Sequence, residues 1–443
     1  MQLKQPKSIR RQLTIATSSL LVAAPLQSIA VENSVDQMDD ITVEISRLYY
    51  SEDDRVTVNK TQALITNELS EDNRIKVNVT YDTMSGSSPN GRIYTGGGDG
   101  SGTVAVTTAS GFSFNAANNA SSASKNTWLT PFSDNRIAAN MEWETSLTNF
   151  SKAVLGGGAS FENDYESYST GGKLLWDLNQ RRTTLTAGIG YNSDTVKPEA
   201  GVPEGLGELW CGTTAIDLDW LSSCADQDQI FYKPANKTVV DYFFGITQVW
   251  NRNTLFQLNY SQGDESGYLT DPYKQVSVID PEFGNQELAV LYEKRPDSRL
   301  TQSLYFKAIN VSSENITSYI SYRYFWDDWD IQAHTVDAKI RINLGTKSYI
   351  QPHVRASYQS AASFSSSYIS VDDAEFVNEP QYISADHRLS EQGTVTAGIK
   401  YGRKLGKVGK FGARVEQMRQ KYNDGVLPDM KAWIVNLLLS MRF

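Results

Sequence analysis

The feature that most limits the fold of this sequence is the alternation of short and long gaps between segments whose apolar residues recur at every second position. Ile75, Val77, Val79 and Tyr81 alternate with polar residues, and the segment 335–344 repeats the pattern. Period two is the period of a β-strand, because successive side chains point to opposite faces of a sheet. From Ile41 onward we predict about 16 strands, within a range of about 14 to 18.

The lengths of the gaps distinguish a membrane barrel from a soluble sandwich. Short gaps such as LNQRR and LGTKS alternate with gaps that are often much longer, namely Ser85 to Asn135, Ser193 to Asn236, Gln262 to Ser298 and Ala361 to Ser390. Outer-membrane barrels have short periplasmic turns and long extracellular loops, whereas a sandwich does not sort its loops by length. We therefore predict an all-β, transmembrane, antiparallel β-barrel over residues 41–443, with both ends of the barrel periplasmic.

Composition agrees with strands and excludes membrane helices. Mean hydropathy is −0.41, and no stretch supplies the about 20 consecutive apolar residues that a membrane helix needs. Tyrosine is abundant at 23 residues. Trp176 and Trp250 lie near short turns, whereas Tyr322, Tyr324 and Trp326 approach an outer loop, as expected for the two aromatic girdles of a barrel. The alternative is that these are scattered core aromatics.

The C-terminal segment WIVNLLLSMRF is predicted to be the strand that closes the barrel. Its apolar residues at odd positions, from Trp433 to Phe443, form a lipid-facing stripe. A barrel has to pair its last strand with its first, because an open edge is not tolerated in hydrocarbon. The terminal Phe443 also resembles the signal that the outer-membrane assembly machinery reads. The expected surroundings are outer-membrane lipid and lipopolysaccharide.

The N-terminus has the pattern of an export signal. Four basic residues precede the apolar segment Leu13 to Ala24, and small residues lie at Ser28 and Ala30. We predict a signal peptide at residues 1–30 and a short acidic periplasmic lead at 31–40, too short to form a plug. A membrane-anchoring helix is the alternative. Cleavage would move the formal net charge from −10 to about −14, which makes a nucleic-acid partner unexpected.

The two cysteines, Cys211 and Cys224, lie in one segment without strand periodicity. An exported chain meets oxidising conditions, so we predict an extracellular disulfide that stabilises by about 3 kcal/mol in the chain-entropy model. A pair of metal ligands is the alternative, but no histidine or further cysteine lies near them in the sequence.

Charged residues on the predicted lumen face separate by sign along the chain. The acidic wall comprises Asp82, Glu142, Glu144, Glu162 and Asp164, and the basic wall comprises Arg323, Lys339, Arg341, Arg355, Lys400 and Arg414. In a barrel of about 16 strands, early and late strands stand on opposite walls, so acid would face base across the lumen. The equally weighted alternative is that these charges pair with neighbours, for instance Asp337 with Arg355.

Two groups of residues in the sequence are candidates for a chemical site. Asp327, Asp328 and Asp330 form a tight outer turn that could bind calcium or magnesium at the extracellular rim, since hard cations prefer carboxylate oxygens. The alternative is a solvated acidic rim, which divalent ions can bridge to lipopolysaccharide. The three histidines, His334, His353 and His387, have no nucleophile and orienting group beside them in the sequence pattern. We therefore predict no enzyme and no required cofactor, and a barrel-embedded hydrolase is the less favoured alternative.

Three segments carry a family resemblance. They are YDTMSGSSPNG (Tyr81 to Gly91), SFENDYESYS (Ser160 to Ser169) and YRYFWDDWDIQAHTVD (Tyr322 to Asp337). They resemble the hallmark segments of an exported bacterial family known as domain of unknown function 3570. The resemblance covers most of the mature chain and implies an outer-membrane barrel, but it supplies no activity.

A polar, charged lumen of this width predicts a porin-like channel for small polar solutes or ions. The alternative is a sleeve or docking barrel for an exported partner protein. The long gap from Ser85 to Asn135 has the length to fold inward and narrow such a pore.

Overall fold

The period-two segments form β-strands throughout the part of the chain that the computed structural model describes: residues 40–93, 128–198, 201–211, 233–282, 285–372, 381–423 and 427–443. The predicted signal peptide and nearly all of the acidic lead lie outside these residues. No helix in the described ranges is long and apolar enough to cross a membrane. The strands are β1 (Asp40–Glu52), β2 (Val56–Ser70), β3 (Asn73–Pro89), β4 (Leu129–Thr148), β5 (Ser151–Glu162), β6 (Tyr165–Leu178), β7 (Thr183–Val196), β8 (Glu208–Cys211), β9 (Ala235–Asn251), β10 (Thr254–Gly267), β11 (Gln275–Asp280), β12 (Gln286–Tyr292), β13 (Ser298–Ser313), β14 (Ile316–Asp327), β15 (Gln332–Leu344), β16 (Ser348–Gln359), β17 (Ile369–Ser370), β18 (Gln392–Leu405), β19 (Gly409–Tyr422) and β20 (Met430–Arg442).

All of these strands except β8, β11, β12 and β17 form one closed antiparallel barrel of 16 strands. Each barrel strand pairs with its neighbours in chain order, and the last pairs with the first. The closing register runs from Thr42 opposite Arg442 to Glu52 opposite Ala432. Because the barrel is closed, no strand has an unpaired edge whose backbone N–H and C=O groups would lie in hydrocarbon without hydrogen-bond partners. The predicted fold class and the role of the C-terminal strand as the closing strand are confirmed.

The two faces of each barrel strand differ in polarity. Large apolar side chains stand exposed on the outer face, for example Phe244, Ile320 and Leu437, with 54%, 55% and 44% of their surface accessible. Their neighbours on the same strands, such as Asn436 and Ser321, point into the lumen. An apolar exterior on a closed barrel is the surface that a lipid bilayer solvates. The protein is an outer-membrane β-barrel.

Connections at the two ends of the barrel differ in length. At one end they are the short turns 71–72, 149–150, 179–182, 252–253, 314–315, 345–347 and 406–408. Four connections at the other end are long: 90–128, 197–234, 268–297 and 360–391. β1 begins and β20 ends at the side of the short turns. This asymmetry orients the short turns toward the periplasm and the long loops toward the exterior.

The strands reach further into the predicted loops than the sequence indicated. β3 continues to Pro89 and β4 begins at Leu129, so the predicted gap from Ser85 to Asn135 is shorter at both ends. The added residues pair regularly, with Ser85 opposite Ser133. Most of them are polar or small, with Leu129 and Phe132 as the exceptions, so the regular apolar alternation that marks a membrane-embedded strand is lost once the sheet leaves the bilayer.

The long loops also contain strands that the sequence analysis missed. β8, β11, β12 and β17 form a second sheet in the order β17-β11-β12-β8, here called the loop sheet. Within it β11 pairs antiparallel with β12 and parallel with β17. Its core is a cluster of almost fully buried apolar side chains. The cluster contains Leu206, Val276, Val278, Ala289, Leu291, Ile369 and Ile383.

The loop sheet crosses the outer mouth of the barrel. Its strands come from the loops after β7, β10 and β16, which leave the barrel at well-separated points of the ring. The loop after β3 joins it, because the N–H of Gln275 donates to the carbonyl of Asn90 over 2.8 Å and Arg92 pairs with Glu287. Elements rooted on different sides of a ring can bond to one another only across its opening.

Candidate functional site

Basic side chains line one wall of the lumen. The six predicted residues lie on the lumen face of β14, β15, β16, β18 and β19, and Lys307 of the adjoining strand β13 extends the set. These residues are here called the basic wall: Lys307, Arg323, Lys339, Arg341, Arg355, Lys400 and Arg414. The sequence analysis missed Lys307, although its position in the alternation of β13 gives the same signal.

Aromatic rings and few carboxylates accompany the basic wall. The guanidinium of Arg341 lies 3.8 Å from the centre of the Tyr349 ring, and that of Arg323 lies 5.5 Å from the centre of the Phe325 ring. Such contacts hold a cation in place without neutralising it. Within the described residues, Arg323, Arg355 and Lys400 have no carboxylate at ion-pair distance. The basic wall therefore keeps an excess of positive charge toward the lumen.

The two carboxylates within the basic wall both contact His353. Nε2 of His353 lies 2.7 Å from Oδ2 of Asp337, and Nδ1 lies 2.6 Å from Oε1 of Glu416. Asp337 also pairs with Lys339 at 3.0 Å. Although Asp337 and Arg355 are register partners, the ionic contacts of Asp337 are with Lys339 and His353, not with Arg355.

Gly398 makes the contact between His353 and Glu416 feasible. β18 lies between the strands that carry these two residues, and Gly398 is in register with both. A Cβ at position 398 would lie 2.3 Å from the carbonyl oxygen of Val415 and 2.4 Å from Cγ of Glu416. The missing side chain gives Glu416 the space to reach across the intervening strand.

Acids on the opposite wall are compensated locally. Oδ2 of Asp82 accepts hydrogen bonds from Nε and Nη2 of Arg136 at 3.0 and 2.7 Å. Glu144 pairs with Lys152 at 3.0 Å and with Arg74 at 3.5 Å. Asp82 and Glu144 thus make the neighbour contacts that the alternative interpretation of the lumen expects. Glu142 lies on the same face, half-buried, in register with Lys76.

Glu162 and Asp164 lie at the outer end of this wall, next to Asp134. One carboxylate oxygen from each of the three residues lies within 4.8 Å of the other two. Asp164 accepts a hydrogen bond from the hydroxyl of Tyr273 at 2.8 Å. Tyr273 belongs to the loop after β10 and lies just before β11 of the loop sheet. This end of the acidic wall therefore contacts the loop that leads into the loop sheet.

Two aspartates of the predicted cation site at the outer rim, Asp327 and Asp328, bind protein groups. Asp327 pairs with Arg299, and its Oδ1 accepts the N–H of Trp329 at 3.1 Å and of Ile331 at 2.8 Å. Oδ1 of Asp328 accepts the N–H of Leu300. These bonds build the turn between β14 and β15. Ion binding by Asp327, Asp328 and Asp330 stays a prediction, as does the disulfide, since Cys211 ends β8 but Cys224 lies outside the described residues.

A buried ion network joins the loops after β10 and β16, and two of its residues directly flank β11 and β12 of the loop sheet. Arg388 pairs with Asp271 at 2.9 Å and also with Asp386. Arg295 lies 2.7 Å from both Asp386 and Glu293. The six residues of the network are Asp271, Lys274, Glu293, Arg295, Asp386 and Arg388, and each is nine-tenths or more buried. Its formal charges cancel, so the cost of burying them is offset by mutual pairing.

Burial and pairing shift the pKa values within this network in opposite directions. Burial alone would raise the pKa of Asp271 and Asp386, but Arg388 beside them holds both pKa values below the usual range. Burial raises the pKa of Glu293 and lowers that of Lys274. The network therefore holds paired charges in a site that water does not reach.

The three histidines occupy different environments. His334 lies on the lipid face, where its Nδ1 is 2.7 Å from the hydroxyl of Tyr322. His353 lies between its two carboxylates in the lumen. His387 is buried beside the ion network, with its ring edge-on to Tyr422 at 5.6 Å. None of these contacts brings a serine or cysteine nucleophile to a histidine among the described residues.

Comparisons with known proteins identify a family and a general architecture. A family described as "Protein of unknown function (DUF3570)" matches residues 10–438. A search of the curated proteins finds no match.

Among solved structures, the siderophore receptor PirA from Pseudomonas aeruginosa is 6% identical with a TM-score of 0.39, over 87% of this chain and 57% of that one. CdiB from Acinetobacter baumannii is 6% identical with a TM-score of 0.45, over 91% of this chain and 60% of that one. This chain thus spans less than two thirds of the length of either structure. Likeness at this level assigns no activity to the chain.

Proposed function

We propose that this chain, which belongs to the family of unknown function DUF3570, is a channel in the outer membrane. Small polar solutes, preferentially anions, cross through it along the basic wall. The excess of positive charge on β13 to β19 is the observation that carries the proposal. Asp82 and Glu144 on the facing wall have basic partners beside them. On the basic wall, Arg323, Arg355 and Lys400 have no acidic partners at ion-pair distance within the described residues.

A one-sided excess of charge in a narrow lumen acts on permeating ions. The low-dielectric wall of a barrel limits screening, so a row of fixed cations lowers the energy of a nearby anion and raises that of a cation. Tyr349 and Phe325 contact two of the arginines, which favours positions of these guanidinium groups beside the rings. The expected cargo is a small solute with carboxylate, phosphate or similar groups.

The loop sheet sets the upper size of the solute. It spans the outer mouth, the buried ion network joins two of the loops that form it, and Tyr273 of one of these loops donates a hydrogen bond to Asp164 at the barrel rim. A solute has to pass between the loop sheet and the barrel rim. We therefore propose a selective channel with low conductance in preference to a wide, open pore.

Planar-bilayer recording tests the proposal. The purified barrel should produce discrete conductance steps, and replacement of Lys339, Arg341 and Arg355 by Glu should change the ratio of anion to cation permeability. A parent protein that inserts but forms no channel would overturn the proposal. That result would favour the second candidate, a sleeve or docking barrel, whose partner would be an exported protein bound at the loop sheet.

A further inference from the structure

A groove on the outside of the barrel lies outside the proposed channel. It has a volume of about 610 Å³ and runs over the lipid-facing surface of β15, β16, β18 and β19. Small residues form its floor, because Ala356 and Gly393 stand between larger side chains such as Tyr358 and Val395. A Cβ added at Gly393 would meet no atom within 4 Å. The groove is therefore an unfilled depression in an otherwise continuous apolar surface.

Aromatic residues place the upper end of the groove at the membrane interface. His334 stacks on Tyr324 with ring centres 5.0 Å apart, and Tyr324 stacks on Trp326 at the same distance. His334 is in register with Tyr358 at the edge of the groove. Tyrosine and tryptophan gather at the level of lipid head groups, so the groove descends from that level into the hydrocarbon.

Three basic side chains flank the upper end of the groove. Arg419 and Lys421 line it, and Lys431 of β20 is in register with Arg419. All three are exposed on the lipid-facing side. Within the described residues, Arg419 and Lys431 form no ion pair, and Lys421 has only the exposed Asp429 at 4.0 Å. Basic side chains at this depth, next to an apolar groove, match a lipid that bears phosphate on its head group.

One carboxylate near the groove restricts where a phosphate can lie. Oε1 of Glu391 accepts hydrogen bonds from the hydroxyl of Tyr358 at 2.9 Å and from Nδ2 of Asn423 at 2.6 Å. Its charge repels a phosphate from the space between Tyr358 of β16 and Asn423, which follows β19. The favourable position is therefore over β19 and β20, between Arg419 and Lys431.

We propose that this groove is a binding site for a phosphorylated lipid of the outer leaflet. One acyl chain of the lipid lies in the depression over Ala356 and Gly393. Its phosphate contacts Arg419, Lys421 and Lys431. The site attaches the lipid to the wall that carries the last strands of the barrel, next to the closing pair β20 and β1.

Native mass spectrometry of the full-length barrel in neutral detergent tests this site. The probes are lipid A with two phosphates and the same lipid without phosphate. The phosphorylated form should bind about tenfold more tightly. Combined replacement of Arg419, Lys421 and Lys431 by Gln should remove that preference, whereas replacement of Lys404, Lys407 and Lys410 by Gln, at the periplasmic end, should leave it unchanged.

A second pair of variants tests the groove itself. Gly393→Phe places a ring in the depression at a position where an added Cβ meets no atom within 4 Å, and it should weaken binding of both lipids. Leu437→Phe, on the exposed face of β20, should not. Heat-modifiability on a gel verifies that each variant has a folded barrel. Equal affinity for the two lipids in the parent protein, or phosphate preference that survives the Gln variant, would overturn the proposal. Undiminished binding by Gly393→Phe would overturn it as well.

Discussion

At the scale of the residue, Gly398 shows why a contact in the lumen could not be read from the sequence. Alternation predicts that His353 faces the lumen, and it predicts the same for Glu416. It does not indicate that the two meet, because they lie on strands separated by β18. Their contact at 2.6 Å depends on the missing side chain between them, and sequence spacing contains no information on such a gap.

The first prediction concerns this glycine. Gly398→Ala places a methyl group 2.4 Å from Cγ of Glu416, so the glutamate has to move and its bond to His353 is lost. We expect a loss of about 2 kcal/mol in the free energy of unfolding, measured by urea titration of the barrel in lipid vesicles. Gly393→Ala is the control, since its methyl group enters open space. Equal stability of the two variants would contradict the packing described for Gly398.

The second prediction concerns His387. Burial, and secondarily the charge of Lys274, hold its pKa well below the usual value. A histidine whose pKa is depressed in the folded state takes up its proton only on opening, so acidification below about pH 6.5 favours the opened state. The stability of the loop that carries His387 should therefore fall as the pH is lowered from about 7.5 to about 5.

Hydrogen exchange of the loop-sheet amides measures this effect. Protection should fall over that pH interval, after correction for intrinsic exchange rates. Burial raises the pKa of Glu293, which gives a dependence of opposite sign, so the difference between the parent protein and His387→Gln isolates the histidine. Parallel pH profiles for the two proteins would contradict the prediction.

At the scale of the element, barrel strands could be predicted and loop-sheet strands could not. β15 repeats apolar and polar residues over its whole length because lipid and water lie on its two sides. β11 and β12 are short, and protein covers both of their faces. The apolar segment from Leu288 to Tyr292 was a signal of a buried strand, but in a long polar loop its partners could not be identified from one sequence.

The third prediction concerns the attachment of the loop sheet. Asp386→Asn removes a charge that faces Arg295 and Arg388, which leaves two buried cations with reduced compensation. We expect the loop sheet to lose about 3 to 5 kcal/mol of stability, seen as faster proteolysis of the loops, while the barrel keeps its gel mobility.

Asp429→Asn is the matched control. Asp429 lies 4.0 Å from Lys421 in an exposed pair, and such pairs contribute about 0 to 1 kcal/mol. Proteolysis of the control should equal that of the parent protein. Equal proteolysis of Asp386→Asn would show that the buried ion network does not hold the loop sheet.

At the scale of the whole molecule, strand pattern and gap length were sufficient to predict the number of strands, the closure and the orientation. They fix which face each lumen residue occupies. Strand pattern and gap length do not determine the partners of a lumen residue. The acidic and basic walls could therefore be identified from the sequence, but the charges that are compensated could not. The structure places partners beside Asp82 and Glu144 and leaves a net positive wall on β13 to β19.

The reversal potential in a potassium chloride gradient tests the proposed anion channel most directly. The parent protein should give the sign of an anion-preferring channel, and Lys339→Glu, Arg341→Glu and Arg355→Glu together should move the potential toward cation preference, because three of the seven cations of the basic wall are then replaced by anions. Arg419→Glu, Lys421→Glu and Lys431→Glu make the same change in charge on the lipid face and should leave the potential unchanged. A cation-preferring parent channel, or a reversal potential that the lumen variant does not move, would contradict the account.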